Sequence, residues 1–350
     1  MPAPSAVKAA VCAVAAVVLL RAAPARATPL DATAEEQVIK ALSDRSGPMK
    51  VRLQAALILG HGGGLASVPP LLEALGDPEF PVRAAAALSL GNVGDARAGV
   101  PLAGRLEDPE SFVRTEAVEG LVHLLRRNAD PTLASSLARL EPSVKVKLLG
   151  VVAGLEPGVA DGVVATALTD PDPTVAEAVR AVLAGWKPPE VQRFLLAQLH
   201  DPRPAVRAAA AELLGQRRFS LAVPRLEEML LAPEETPETV SAARHALRAL
   251  AEQLDLVQLR EAALHGQGDV QLKAMAVLAA VRDPAAYELL AQLLDSPLLP
   301  VRAAAAVDLG VLGDARASGP LAVLAGRAEN ASIQLTLQSA LRAVERGGEK

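Results

Sequence analysis

The chain has 350 residues, 51% of them apolar but only 2% aromatic, and a formal net charge of −5. Its Ala- and Leu-rich composition has high helix propensity and lacks the β-branched and aromatic runs of a strand-built protein, so an all-α fold is expected. The mild acidity deepens to about −8 once residues 1–27, with Lys8, Arg21 and Arg26, are set aside, which argues against a broad nucleic-acid surface, since that needs a basic stripe.

At the N-terminus, Lys8 gives a positive start, residues 9–20 form a short apolar run, and "APARA" ends in small residues at Ala25 and Ala27. This is the pattern of a secretory signal peptide over residues 1–27, with cleavage expected after Ala27. The expected localisation is therefore export to the periplasm or the extracellular space. The apolar run is too short to span a bilayer comfortably, so no stable membrane insertion is expected after cleavage. The single cysteine, Cys12, lies inside this segment, and Val11 before it does not suit a lipoprotein signal. Once cleaved, the chain would have no disulfide, thiolate nucleophile or cysteine metal site.

Residues 28–44, which include "ATAEEQVIKALSD", read as a capping helix. Next comes "LGHGGGLASV" at 59–68, whose His-Gly-Gly-Gly invites comparison with the backbone loop that forms an oxyanion hole. That chemistry also needs a G-x-S-x-G nucleophile elbow on a strand-to-helix turn, and the sequence contains none. The run aligns instead with Leu90-Gly91-Asn92-Val93-Gly94-Asp95 and Leu309-Gly310-Val311-Leu312-Gly313-Asp314. It is a turn between two helices that has lost the Asp and Arg of those copies, and a looser turn is predicted there.

From residue 45 to 345 the sequence repeats. The Val of a "VR" step recurs at Val51, Val82, Val113, Val144, Val175 and Val206, each 31 residues apart, then at Val240, Val270 and Val301, with Ile333 last. In each frame an Asp-Pro breaks the preceding helix, and the Asp is expected to N-cap the next. Small residues such as Ala55, Ala86, Ala210 and Ala305 let neighbouring helices approach. A Gly-rich turn ends the first helix, and Pro69, Pro101, Pro224 and Pro320 sit near the start of the second. Each frame is thus a helical hairpin that must stack on its neighbours to bury its apolar face. Residues 346–350 are read as a polar tail.

The marker "DPxxxVRxxAAxxLGxxGDxRAxxxL", fullest at 77–102 and 297–321, resembles the HEAT repeat, specifically that of phycobilisome-lyase HEAT-like proteins. The resemblance implies a right-handed α-α superhelix, a HEAT-repeat solenoid of about ten hairpins of about 31 residues. It also raises a lyase-like, chromophore-attachment or oxidoreductase activity, because deoxyhypusine hydroxylase, which binds two irons through His-Glu pairs, is another HEAT protein. No His-Glu dipeptide and no H-E-x-x-H occurs here, and His123, His200, His245 and His265 fall in different frames. No catalytic residue, cofactor or metal site is assigned, and the expectation is a monomeric, non-catalytic scaffold for a protein partner.

Asp77, Asp108 and Asp201 each stand six residues before Arg83, Arg114 and Arg207, and Arg52 and Arg302 extend the series. Stacking such pairs predicts an acid–base ladder linking adjacent repeats, for which Arg–carboxylate geometry is well suited. Partner contacts are expected where the pattern breaks. The single Trp, Trp186 in "GWKPPE", is either an exposed interface anchor or the filler of a packing gap. "LLAPEETPETV" at 230–240 lengthens one frame and adds an acidic loop, and "LVHLLRRNADPT" at 121–132 loses its Gly turn. Arg105, Arg139, Gln192, Arg193, Gln198, Arg225, Glu228, Arg260 and Glu261 are the candidates for a concave binding face on the second helices. Asn330-Ala331-Ser332 fits a glycosylation sequon.

Overall fold

The computed structural model describes residues 29–127, 131–327 and 331–348. Residues 1–27, read above as a signal peptide, with Cys12, and Asn330 of the expected sequon lie outside them. Among the described residues the chain forms twenty α-helices, six short 3-10 helices and no strand, as expected for an all-α HEAT-repeat fold. It divides into two compact units, Met1–Lys187 and Pro188–Lys350.

In the first unit, α1 (Ala32–Ser43) is followed by hairpins α2/α3 (Met49–Gly62, Val68–Ala74), α4/α5 (Phe80–Val93, Gly99–Gly104), α6/α7 (Ser111–Arg127, Pro131–Leu137) and α8/α9 (Pro142–Val152, Pro157–Ala167), then α10 (Pro173–Gly185). The second begins with α11 (Pro188–Gln198) and continues with α12/α13 (Pro204–Gln216, Val223–Leu231), α14/α15 (Pro237–Ala249, Leu256–His265), α16/α17 (Gly268–Val281, Ala286–Leu293) and α18/α19 (Leu299–Leu312, Ser318–Arg327). It ends on α20 (Ala331–Gly348). Every repeat marker from Val51 to Ile333 falls in the first helix of a frame, and the tenth frame is α20 alone. Helix α20 continues past residue 346, where the polar tail was expected to begin.

Local signals set the helix ends. Gly94 (φ 80°) and Gly313 (φ 70°) take the left-handed conformation that closes α4 and α18, which glycine adopts without Cβ strain. Asp95 and Asp314 then accept the N–H of Arg97 and Arg316, which starts the 3-10 turn into the second helix.

The Asp-Pro expectation holds at α10, where Asp172 is the N-cap and accepts the Thr174 N–H at 2.8 Å with Pro173 in the first turn, and needs correcting in other frames. The N-cap of α4 is Glu79, not Asp77; Asp77 Oδ1 accepts the Glu79 N–H at 2.9 Å. Asp108 and Asp201 likewise accept the N–H groups of Glu110 and Arg203. Each Asp sits two residues early because it also closes the preceding turn, as when the Asp77 N–H donates to the Ala74 carbonyl at 3.1 Å.

First helices of successive frames pack closely, α4 on α6 and α12 on α14 among them, over buried Ala86, Ala87, Ala210, Ala211 and Leu90. The tightest approach is backbone to backbone: a Cβ on Gly91 would lie 2.4 Å from Gly120 Cα and 2.5 Å from the Gly120 carbonyl oxygen. No side-chain rotation relieves such a contact. Gly91→Ala is expected to cost about 3 kcal/mol, the upper end of ordinary overpacking, read as a lowered denaturation midpoint.

Candidate functional site

The charged groups of the repeat marker are joined to one another across frames. In the first unit, Arg52 Nε and Nη2 donate to Asp77 Oδ2 and Oδ1 at 2.8 and 3.1 Å. Arg83 repeats the fork on Asp108 at 3.0 and 2.9 Å. Lys145 Nζ donates to Asp170 Oδ2 at 2.7 Å. Each base lies 25 residues before its acid, so the carboxylate belongs to the next turn of the stack. The six-residue spacing has a different role: Arg83 Nη1 donates to the Asp77 backbone carbonyl at 2.9 Å, and Arg114 Nη1 to that of Asp108 at 2.8 Å. The acid–base ladder between adjacent repeats thus runs from each base to the acid 25 residues on, and the six-residue spacing within a frame serves a side-chain-to-backbone bond.

The second unit uses the same parts with adjustments. Arg207 Nη1 donates to the Asp201 carbonyl, while its Nε and Nη2 meet Glu235 Oε2 at 2.9 and 2.8 Å. Glu235 comes from the acidic loop expected to face a partner. Its side chain is 1% exposed, because the longer frame places it where other frames carry Asp. Arg302 Nη1 donates to the Ser296 carbonyl at 2.7 Å. Asp201, whose position 25 residues earlier is Ala176, turns instead to Arg203 in its own turn at 2.8 Å.

These contacts set the carboxyl pKa values. Burial by itself raises Asp108, but the hydrogen bonds from Arg83 and the Glu110 N–H outweigh it and hold the group below its usual range. Asp308 in α18 shows the opposite balance. It is 7% exposed, and desolvation pushes it up to about 7 against the downward pull of Arg244.

The candidate contact residues separate into groups. Trp186 is only 7% exposed at the end of α10, so it packs inside and is not an exposed anchor. Arg105 donates to the Leu75 carbonyl and lies 3.6 Å from Asp108. Arg225 bridges Glu228 and Glu235, and Arg260 forks onto Asp283 at 3.0 and 2.6 Å. Gln198 reaches its own helix at the Phe194 carbonyl. Arg139, Arg193 and Glu261 are exposed and Gln192 partly so, Arg139 in the first unit and the other three in the second. Sequence reasoning missed Lys145, Asp170, Glu235, Asp283 and Asp308, although the constant 25-residue offset of acid from base was a signal for the first two.

The His-Gly-Gly-Gly run is a turn, and a tied one. Glu35 of α1 accepts the Gly64 N–H at 2.8 Å and the Ser67 hydroxyl at 2.6 Å on one oxygen. The looser turn expected there is thus corrected: α1 supplies the carboxylate that the local sequence lost. His61 Nδ1 lies 2.8 Å from the Leu57 carbonyl, and His123 Nδ1 lies 2.8 Å from Asn92 Oδ1 in the neighbouring frame. Among the described residues no three His, Cys, Asp or Glu side chains converge as a metal site, and no helix is long and apolar enough to cross a membrane.

Family models agree with this architecture. A model of HEAT repeats matches residues 35–122 and 160–250, and one of the PBS lyase HEAT-like repeat matches residues 270–296. No curated protein matches the chain. Among solved structures, the complex of CpcE and CpcF of phycocyanin lyase from Nostoc sp. is 19% identical, over 92% of this chain and 98% of that chain, with a TM-score of 0.27. Human deoxyhypusine hydroxylase in complex with glycerol is 19% identical, over 79% of this chain and 95% of that chain, with a TM-score of 0.27. An engineered protein is 20% identical, over 95% and 99%, with a TM-score of 0.28. Scores this low add nothing to the fold derived above.

Two stability measurements test the electrostatics. Arg83→Ala leaves the 1%-exposed Asp108 carboxylate without its fork and is expected to cost about 3 kcal/mol, whereas Arg97→Ala, on an exposed pair within one turn, is expected to leave the melting temperature unchanged. Because the folded pKa of Asp308 is raised, folding holds its proton, and stability falls as pH rises from its ordinary value towards 7. Asp308→Ser, which copies the matching Ser89, should flatten that dependence and raise the melting temperature at pH 8 but not at pH 4.

Proposed function

We infer the function from one premise: this chain belongs to the HEAT-repeat family. It is a helical repeat scaffold. We propose that it is exported and works without catalysis, by binding a protein partner on the surface of its stacked hairpins. The observation that carries this reading is the use of the charged groups. Buried Arg–carboxylate forks join consecutive frames, so the most ordered polar chemistry in each unit is spent on stacking. What remains exposed suits a contact surface: Arg139 in the first unit, and Arg193, Glu261 and the apolar Leu221 and Val257 in the second. Rigid hairpins presenting such groups bind with little ordering cost.

Photo-crosslinking residues placed at 139, 192, 193 and 261 test the reading in the exported fraction. One protein should crosslink reproducibly from at least one of these positions and not from the buried position 186. No crosslink from any of them, or stoichiometric iron or zinc in the purified protein, overturns the non-catalytic scaffold. Export is tested separately. The exported chain should begin at Thr28, and a chain confined to the cytoplasm with residues 1–27 intact overturns it.

A further inference from the structure

One step of the ladder in the first unit carries the wrong charge. Arg114 is held as its counterparts are: Nη1 donates to the carbonyls of Asp108 and Pro109 at 2.8 and 3.0 Å, just as Arg83 Nη1 donates to those of Asp77 and Pro78 at 2.9 and 3.1 Å. That anchoring fixes the guanidinium plane. For Arg83 the opposite edge, Nε and Nη2, then meets Asp108. The residue 25 positions after Arg114 is Arg139.

Arg139 occupies the backbone position of a ladder acid. Its N–H donates to the carbonyl three residues back, Ser136, at 3.3 Å; Asp77, Asp108 and Asp170 make the same bond to Ala74, Arg105 and Ala167 at 3.1, 3.1 and 3.2 Å. Two cations therefore stand where every other rung of this unit pairs a cation with a carboxylate. Among the described residues no carboxylate lies within ion-pair distance of either, although Arg83–Asp108 precedes this step and Lys145–Asp170 follows it. Arg114 is partly buried and Arg139 exposed, so the Nε/Nη2 edge can be reached from solvent.

We propose that Arg114 and Arg139 form a carboxylate-binding site, at which an acidic side chain of a protein partner takes the place that Asp108 and Asp170 take in the neighbouring steps. Arg114 supplies the pre-oriented two-donor edge that matches a planar carboxylate, and Arg139 the second charge. The site deepens the scaffold reading, on which it rests for the nature of the partner alone. The affinity depends on charge-assisted hydrogen bonds at a partly exposed position, so it falls with salt.

The test uses the full chain and a fluorescent capped peptide, acetyl-Gly-Asp-Glu-Asp-Gly-amide, with its Asn/Gln isostere as the neutral control. The acidic peptide should bind at low salt and the isostere should not. Arg139→Asp should do two things at once: raise the melting temperature, because Arg114 gains the missing rung, and weaken peptide binding roughly tenfold, the equivalent of one charge-assisted hydrogen bond. Arg114→Gln should weaken binding similarly, while Arg180→Gln, on an exposed pair in α10, should leave it unchanged. Unaltered peptide affinity in Arg139→Asp overturns the site. A lowered melting temperature in that variant overturns the register on which it stands. Displacement of the peptide by inorganic phosphate at concentrations where acetate has no effect overturns the carboxylate assignment. A chain that binds the peptide but crosslinks no partner overturns the scaffold reading and leaves this site intact.

Discussion

The stack depends on a node at which one carboxylate residue serves two frames. Asp108 shows all of it. Its N–H closes the turn before it, its Oδ1 accepts the Glu110 N–H that opens the next helix, its carboxylate takes the Arg83 fork from the frame before, and its carbonyl takes Arg114 Nη1 from its own frame. A buried carboxylate is costly unless its lone pairs are filled, and here the Arg83 fork that fills most of them is in place only when two frames are correctly stacked. The node therefore fixes the register between frames more than it adds raw stability. The apolar helix faces supply the driving force, and the node holds them at the level where the small residues meet.

The small residues beside the turns act with it. Gly60 lies against Ser89, Gly91 against Gly120, Gly215 against Ala246 and Gly310 against Ala340, so first helices are drawn together at one level in each pair. Ser89 has its own acceptor across the contact, the Ala56 carbonyl at 2.8 Å, which lets a hydroxyl sit in the seam. Asp308 lies at the matching place in α18 and is held at a raised pKa with Arg244 as its charged neighbour. The seam accepts a polar atom when it can donate, and resists one that must ionise.

The period, the hairpins and the Gly turns were legible in the sequence because they depend on residues within one frame. The ladder was legible only in composition. Asp and Arg six apart suggested a pair, whereas the carboxylate and guanidinium that meet are 25 apart, a distance set by how frames stack. Glu235 was hidden by the same cause: three extra residues and a longer side chain restore a rung whose letters no longer align. Trp186 beside Lys187 and two prolines suited an exposed anchor and a packing filler equally, and its burial comes from packing that no local pattern encodes. Glu35 was read only as part of a cap, yet it completes a turn 29 residues away.

Departures from the repeat are of two kinds, and the difference bears on recognition. Most are compensated inside the chain. Ala176 removes a base, and Asp201 turns to Arg203; the turn at Gly63–Gly64 loses its Asp, and Glu35 arrives from α1; the 230–240 insertion moves the rung, and Glu235 rebuilds it. Such changes leave the node satisfied by another group of the chain. Arg139 is of the second kind, because it reverses the sign at a node while Arg114 remains clamped in the geometry of a carboxylate receptor. Two like charges in register oppose the stack, and among the described residues no carboxylate lies within ion-pair distance of either. A cost that the fold leaves uncorrected, at a position reachable from solvent, is where an interaction with another molecule has the most to stabilise.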